Sequence, residues 1–506
     1  MSTRPSDSFD LVEASIADIH AAMEVDRVTA TALVDRYLER IDTFDDDLNA
    51  ILTVNDGALQ RARQLDAHFA SDGLVGPLHG IPVLLKDNHD THDMPTTAGS
   101  VALQESAPPR DAFVVRQLRD AGAVVIAKAN LQELSFGVDT ISSLGGATRN
   151  AYDLERRPSG SSGGTAAAIA ANLGAIGMGT DTCSSIRSPA AFNCLVGIRP
   201  TRGLCSRTGI VPLCGTQDTA GPITRTVEDA ARTLDVIAGY DPEDPVTSRG
   251  ASHPPTEGYV AALDATALNG ARIGVARQFF GLQADESASE ADAEAVTTVL
   301  EGALEAMAAA GATIIDPVDI VDIDYLKSAR VLRYEFARDF DAYLSELGDA
   351  APHDSLAEVV STGKIAPAIE SRFEETDILG VDADAVDRNV DYLRRLVRRE
   401  QLTETTLSTL IEHDLDALLY PPSTIPPVRI PDHQPFDEMN CELSAHTGLP
   451  AVVVPAGFTA DGLPVGLELL GGPFDEPKLL SFAYAFEQTT THRRPPAQFG
   501  ELDRRD

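Results

Sequence analysis

The sequence predicts an α/β fold in which a mixed central sheet is covered by helices on both faces. Three observations predict it. Segments of helical periodicity alternate with short apolar runs, and glycines stand at the helix–strand junctions. The 506 residues, 43% of them hydrophobic, suffice for a large core. We expect one domain over 1–506, because large α/β enzymes often form a single unit.

The predicted elements alternate along the chain. In the first helix Leu33, Tyr37 and Ile41 share one face. Later helices end at Gly122 and Gly311, and each leads into a short apolar strand. In order, we predict a helix over 29–41, a helix over 116–122 with a strand over 123–127, a strand over 271–276, a helix over 304–311 with a strand over 312–315, and strands over 451–457 and 463–472.

The chain divides into a core and a variable region. Segments of about 70–232 and 436–490 are expected to form the core, and about 318–430 a mostly helical cap or insertion. The proline-rich YPPSTIPPVRIPDHQP (420–435) cannot be regular for long. Two interpretations of this loop stay open: a position near the core and a plain surface connection.

The composition excludes several partners. A net charge of −38, with acidic runs such as DTFDDD (42–47), repels nucleic acid and anionic membranes. Spread along the chain, this acidity is typical of a halophilic surface in an acidic proteome. Nowhere do 18 apolar residues run together, and the N-terminal MSTRPSDSFD has no apolar signal segment. The expected location is the cytoplasm.

The five cysteines are Cys183, Cys194, Cys205, Cys214 and Cys441. They include no CxxC spacing, so neither a zinc site nor a redox pair is indicated. Four lie close together in apolar surroundings, which favours buried thiols in a reducing compartment. No cofactor and no metal are expected; HDTHD (89–93) is interpreted as a loop without metal.

Two serine pairs are candidate nucleophiles, in GSSGG (160–164) and in TDTCSSIR (180–187). A flexible linker is disfavoured by the alanine-rich segment that follows the first pair. GSSGG formally matches the G-x-S-x-G elbow with Ser162 as nucleophile, but a charged, proline-containing segment precedes it instead of a strand. A phosphate-binding loop is excluded because no lysine follows these glycines.

Lys86 offers a different activating group. In GPLHGIPVLLKDN (76–88) it ends an apolar run, so burial is expected to lower its pKa. From about 10.4, a fall of ~3 makes the amine mostly neutral at pH 7, and a neutral lysine can accept a serine proton. A structural ion pair with Asp87 is the alternative.

Together the motifs resemble the amidase signature family of serine hydrolases. The matching stretches include GPLHGIPVLLKDN (76–88), RPSGSSGGTAAAIAA (157–171), GTDTCSSIRSPAAF (179–192), DTAGPITRTVEDAA (218–231) and SAHTGLPAVVVPAG (444–457). The resemblance spans most of the chain and is patchy only over about 240–430. It implies a Ser-Ser-Lys triad and no cofactor.

By position, the resemblance implies the following roles. Ser185, 24 residues after Ser161, attacks the amide carbonyl, and Ser161 passes its proton to Lys86. Backbone amides of the preceding turn bind the oxyanion, and three further residues support the site. The oxyanion turn comprises Thr182, Cys183, Ser184 and Ser185; the supporting residues are Ser162, Asp181 and Arg187.

Cys183 and Ser184 stand where the family commonly has two glycines. A Cβ at 184 costs about 1–3 kcal/mol if φ is positive there, and otherwise narrows the acyl pocket. We expect a stand-alone amidase acting on a small-molecule or peptide amide. The alternatives are the glutaminase subunit of a tRNA-dependent amidotransferase and a non-catalytic homologue with an altered oxyanion turn. A homodimer is left open.

Overall fold

The computed structural model describes residues 9–283 and 288–502. Its strands are β1 (Ile51–Val54), β2 (Pro82–Lys86), β3 (Val124–Ala129), β4 (Ile141–Ser142), β5 (Gly146–Ala147), β6 (Ile176–Asp181), β7 (Val196–Arg199), β8 (Thr219–Thr224), β9 (Arg272–Val275), β10 (Thr313–Ile315), β11 (Ala417–Tyr420), β12 (Ala451–Phe458) and β13 (Pro464–Leu470).

The described residues also contain fifteen α-helices. They are α1 (Ile16–Glu24), α2 (Ala30–Leu48), α3 (Ala58–Asp72), α4 (Phe113–Asp120), α5 (Gly163–Ala170), α6 (Arg187–Phe192), α7 (Val227–Ile237), α8 (Glu290–Ala309), α9 (Ile323–Lys327), α10 (Leu332–Leu347), α11 (Leu356–Ser361), α12 (Pro367–Thr376), α13 (Val390–Glu412), α14 (Glu442–Thr447) and α15 (Glu476–Thr490).

Eleven strands form one mixed sheet in the order β1-β3-β2-β6-β8-β7-β12-β13-β11-β9-β10. The pairs β3–β2, β2–β6, β11–β9 and β9–β10 are parallel, and the other pairs are antiparallel. Strands such as β2, β6, β8 and β13 are buried at every position. Both faces of the sheet are therefore covered, as expected for an α/β fold. The predicted fold class is confirmed.

The predicted glycine junctions are present. Gly122 and Gly311 have φ of +93° and +100°, and they separate α4 from β3 and α8 from β10. A Cβ at Gly122 would lie 2.7 Å from the Cα of His79, so glycine is required there for packing as well. The helix predicted over 29–41 is longer than expected, because α2 continues to Leu48, and α1 precedes it without having been predicted.

The first half of the proline-rich loop lies against the core, whereas residues 429 and 431–433 are exposed. Residues 421–427 are buried. Asn440 Nδ2 donates to the Pro421 carbonyl at 2.7 Å, and Arg157 Nε donates to the Asp432 carbonyl at 2.9 Å. The loop thus uses neighbouring side chains to satisfy carbonyls that no strand partner reaches.

Helices α10 to α12 pack against the segments that follow β2 and β3. Phe136 on the sheet side meets Phe336 and Phe373 with ring centroids 5.5 and 4.9 Å away. The Ala366 amide donates to Glu133 at 2.8 Å. No helix within the described ranges is long and apolar enough to cross a membrane. Residues 1–8, which include most of the segment expected to lack a signal sequence, lie outside the described residues.

Candidate active site

Two neighbouring parallel strands end at the site. Lys86 is the last residue of β2, and Thr180 and Asp181 end β6. Leu85 is in register with Met178, so Lys86 and Thr180 come together at the carboxyl edge of the sheet. Parallel strands leave their carboxyl ends at one edge, which is where α/β sheets commonly hold ligands.

Lys86 is fully buried at this edge. Its Nζ lies 2.7 Å from Ser161 Oγ and 2.7 Å from Thr180 Oγ1. Burial lowers the pKa of Lys86 to about 7, although Asp218 and Asp181 act in the opposite direction. A pKa near 7 allows the neutral amine to form at neutral pH, in agreement with the expected fall. The ion pair with Asp87 expected as the alternative is made by Lys128 instead, at 3.2 Å.

Ser161 and Ser185 lie in two neighbouring segments that a backbone hydrogen bond joins. Ser161 precedes α5, and the Ser162 amide donates to the Ser185 carbonyl at 3.2 Å. Ser185 lines a cavity of about 390 Å³. Within residues 9–283 and 288–502 its Oγ makes no hydrogen bond. The Lys86–Ser161 contact is therefore formed, while a contact from Ser161 to Ser185 is not closed here.

The turn between β6 and α6 presents unpaired amides. In the described part of the chain, the N–H groups of Thr182, Cys183, Ser184 and Ser185 donate to no protein acceptor. All but the Thr182 amide lie within two residues of Ser185, and Thr182, Cys183 and Ser184 line its cavity. Such amides can bind an oxyanion without reorganising. Neither Cys183 nor Ser184 has a positive φ, so the strain considered for position 184 does not arise.

Cys183 forms a disulfide with Cys441. The expectation of buried free thiols is therefore wrong for this pair, and it holds for Cys194, Cys205 and Cys214. The partners are 258 residues apart, and only the folded chain brings them together. Because Cys183 and Cys441 are not free thiols, they do not support the reducing compartment inferred from buried thiols.

A network of buried ion pairs holds the two ends of the turn between β6 and α6. Asp181 accepts from Arg187 Nε at 3.2 Å and Arg199 Nη1 at 2.8 Å, and Arg187 Nη1 donates to Glu468 at 2.6 Å. Burial alone would raise the pKa of Asp181, but the two guanidinium groups lower it below its usual value. Asp181 Oδ2 also accepts from the Ile186 amide at 3.1 Å, which fixes the residue after Ser185.

Ser162 has a structural position. The described residues 148–162 contain no strand, so the elbow geometry that would expose this serine is absent from them. Its side chain is buried and donates to the Thr180 carbonyl at 3.3 Å. Ser162 therefore joins the start of α5 to the end of β6.

The histidines of HDTHD do not converge. His89 is buried with Nδ1 3.1 Å from the Lys86 carbonyl, whereas His92 is exposed. Ligand atoms of His92, Asp93 and Asp111 lie within 4.8 Å of one another, but Arg119 already pairs with both carboxylates.

The cavity wall comes from both the core and the helices α10, α12, α13 and α14. Ser135 and Gly137 line it, whereas Asn130 and Glu133 are buried hydrogen-bonding groups outside the lining. A Cβ at Gly137 would lie 2.5 Å from Arg372 Nη1, so this glycine leaves room for the guanidinium. The cavity is also lined by Arg330, Arg333, Arg395, Phe436, Glu442 and His446.

Sequence reasoning missed five residues of the site: Thr180, Arg199, Gln217, Cys441 and Glu468. Glu468 had a detectable signal, because a lone carboxylate inside the apolar strand LPVGLELL implies a buried cationic partner. The others contact the site through long-range packing that one sequence does not show.

Comparison with known proteins gives the family. The Amidase family profile matches residues 32–480. A probable amidase of Arabidopsis thaliana is 35% identical over 97% of this chain and 93% of its own length. A glutamyl-tRNA(Gln) amidotransferase subunit of Methanosarcina acetivorans is also 35% identical, over 91% of this chain and 94% of its own.

Solved structures agree. Native peptide amidase from Stenotrophomonas maltophilia superposes with a TM-score of 0.84 at 36% identity, covering 96% of this chain and 98% of that one. The corresponding glutamyl-tRNA(Gln) amidotransferase subunit of Thermotoga maritima superposes with a TM-score of 0.74 at 27% identity, covering 97% of each chain. The match along the chain, the identity to its relatives and the shared sheet place this protein in the amidase family, as an amide-hydrolysing enzyme.

Proposed function

We propose that the chain is a stand-alone amidase that converts a carboxamide into a carboxylic acid and ammonia or an amine. Ser185 is the nucleophile, Ser161 the relay and Lys86 the general base. The observation that carries the proposal is the fully buried Lys86 amine, 2.7 Å from Ser161 and with a pKa of about 7, behind a turn of unpaired amides.

The proton moves in two linked steps. As Ser185 Oγ bonds to the carbonyl carbon, its proton passes to Ser161 while the Ser161 proton passes to Lys86 Nζ. The neutral amine suits this role because its lone pair can face Ser161 while an N–H donates to Thr180. The hydrogen bond between Ser185 and Ser161 is not formed in the structure. Catalytic hydrogen bonds often tighten only when substrate binds.

The oxyanion forms beside the unpaired amides of Cys183, Ser184 and Ser185. Each such donor typically contributes ~10²–10³ in rate, because the dipoles are already aligned before the charge develops. The Lys86 ammonium then returns its proton through Ser161 to the departing nitrogen, which leaves as a neutral amine. A water molecule then attacks the acyl-enzyme. Lys86 accepts the proton of this water through Ser161 and returns it to Ser185 Oγ, and the carboxylic acid is released.

The test is a panel of aliphatic, aromatic and peptide amides assayed in molar KCl. Ser185→Ala and Lys86→Ala are expected to lose about 10³-fold or more in kcat, and Ser161→Ala to lose heavily. Hydroxylamine should intercept the acyl-enzyme as a hydroxamate in the parent but not in Ser185→Ala. Ser162→Ala is the matched control from the same motif and should retain most activity. Full activity in Ser185→Ala would contradict the assignment.

A peptide amide is one substrate class to include, because a peptide amidase is the neighbour at TM-score 0.84. The second candidate function is the glutaminase subunit of a tRNA-dependent amidotransferase, favoured by the 35% identity to a glutamyl-tRNA(Gln) amidotransferase component. Glutamine turnover that requires added partner subunits would establish this second function and reject the stand-alone enzyme.

A further inference from the structure

The Cys183–Cys441 disulfide lies within the catalytic turn. Cys183 is two residues before Ser185, half-buried, and lines the cavity of about 390 Å³. Cys441 is fully buried and directly precedes α14, which contributes Glu442 and His446 to the same cavity. The bond therefore joins the turn before the nucleophile to the opposite wall of the pocket.

Non-covalent contacts hold the turn on either side of Cys183, which makes no hydrogen bond within the described residues. At the start, Gln217 Nε2 donates to the Thr182 carbonyl at 2.7 Å. At the far end, the Ile186 amide donates to Asp181. Between them, in the described chain, Ser184 Oγ is buried without a partner, and the amides at 183–185 are unpaired. The carbonyls of Ser184 and Ser185 accept from the amides of Ser188 and Ser162 at 2.9 and 3.2 Å. The disulfide is thus the contact that anchors Cys183 in this turn.

We propose that this disulfide is a redox-sensitive positioning element: oxidised, it holds the oxyanion amides in their productive geometry, and reduction by a dithiol releases them. The inference rests on the proposed function, since it assigns the turn to oxyanion binding. A misplacement of about 1 Å in such a site can cost about 10²-fold in rate. Binding of substrate depends more on the cavity wall, so reduction should lower kcat more than it changes KM.

The position of the pair decides how reduction proceeds. A thiolate of a small dithiol enters the cavity and attacks Cys183 Sγ, because Cys441 is out of reach. The S–S bond breaks, Cys441 leaves as a thiolate and takes up a proton, and a mixed disulfide forms at Cys183. The second thiol of the reductant then attacks the reductant's other sulfur in the mixed disulfide, and Cys183 is released as a thiolate that takes up a proton. Two electrons pass to the protein, and the dithiol becomes a cyclic disulfide.

The other cysteines do not compete for this chemistry. Cys194, Cys205 and Cys214 are buried, and burial raises the pKa of each thiol. A high pKa and lack of access make a thiol inert to exchange. A molecule bound beside Ser185 covers the cavity face of Cys183, so an amide substrate or competitive inhibitor should slow the reduction.

The test compares oxidised and dithiothreitol-treated protein in molar KCl. Intact mass after alkylation counts the free thiols, circular dichroism checks the fold, and kcat and KM are measured before alkylation. Reduction should expose two thiols, at Cys183 and Cys441, and lower kcat about 10- to 100-fold while KM changes less than about threefold. Reoxidation should restore kcat, and a saturating competitive inhibitor should slow the loss.

Variants separate this disulfide from other effects of the reductant. Cys183→Ala and Cys441→Ala should have low kcat with or without dithiothreitol. Cys205→Ala, which keeps the disulfide and removes one buried thiol, should behave like the parent. If the first two variants fail to fold, the parent's own redox comparison decides.

Each failure has its own signature. Equal kcat in oxidised and reduced parent overturns the inference, and so does purified protein without the disulfide. Loss of kcat on reduction in the Cys183→Ala/Cys441→Ala double variant also overturns it. Absence of turnover and of Ser185 acylation in the oxidised parent instead rejects the proposed function.

Discussion

Replacing Lys86 by methionine should remove activity and stabilise the protein at pH 6. The fall of the Lys86 pKa from 10.5 to about 7 corresponds to about 5 kcal/mol of cost for holding the ammonium in the core. Loss of the contacts to Ser161 and Thr180 offsets about 1 kcal/mol each. A net gain of about 3 kcal/mol in the free energy of unfolding is expected.

The gain depends on pH in a defined direction. Below pH 7 both folded and unfolded chains hold the lysine proton, so the full cost is present. Between 7 and 10.5 the unfolded chain binds more protons than the folded one, and the stability of the parent rises with pH. At pH 9 the cost has fallen to about 2 kcal/mol, which the lost hydrogen bonds cancel. Parent and variant should then be equally stable.

Urea unfolding at pH 6 and pH 9, in molar KCl, measures both values, and amide hydrolysis measures the loss of activity. Lys128→Met is the matched control, because Lys128 is also fully buried but pairs with Asp87 at 3.2 Å. Its removal leaves a buried carboxylate unpaired and should cost about 3–5 kcal/mol at both pH values. A Lys86→Met variant less stable than the parent at pH 6 would refute the reasoning.

Four further outcomes are expected. Between pH 6 and pH 8, kcat/KM should rise about tenfold as Lys86 loses its proton, and a flat profile contradicts Lys86 as the base. Thr180→Val removes a hydrogen-bond acceptor of the Lys86 ammonium and should move the rise of kcat/KM to lower pH. Movement to higher pH contradicts the role of Thr180 as that acceptor. Asp181→Asn should destabilise by about 3–5 kcal/mol in urea unfolding, because Arg187 and Arg199 lose their shared carboxylate, and an unchanged midpoint argues against the network. With a net charge of −38, the thermal midpoint should rise steeply with KCl, and full stability in dilute buffer contradicts a halophilic surface.

The local strand–helix–strand units could be predicted, whereas the order of the sheet could not. The segment containing β9, α8 and β10 follows from the glycine at 311 and the apolar runs on either side. Both strands are parallel, as such a unit requires. The insertion of β12 and β13 between β7 and β11 depends on contacts over more than 200 residues, which periodicity does not contain.

The same distinction applies to the site. Lys86 was predictable because an apolar run ending in lysine implies burial, and burial implies the lowered pKa. The pairing of Cys183 with Cys441 was not, since five cysteines without characteristic spacing specify no partners. The roles of Ser161 and Ser185 came from the family resemblance and stay predictions until the variants are assayed.

Glu468 implies a timing for the appearance of activity during synthesis. It supplies the carboxylate for Arg187 from 281 residues further along the chain. When Lys86, Ser161 and Ser185 have left the ribosome, all the proposed reacting groups are present. The Glu468 carboxylate that pairs with Arg187 beneath them has not yet been synthesised. The nascent chain should therefore be inactive until β13, which carries Glu468, has joined the sheet. Incomplete chains are then expected not to hydrolyse amides.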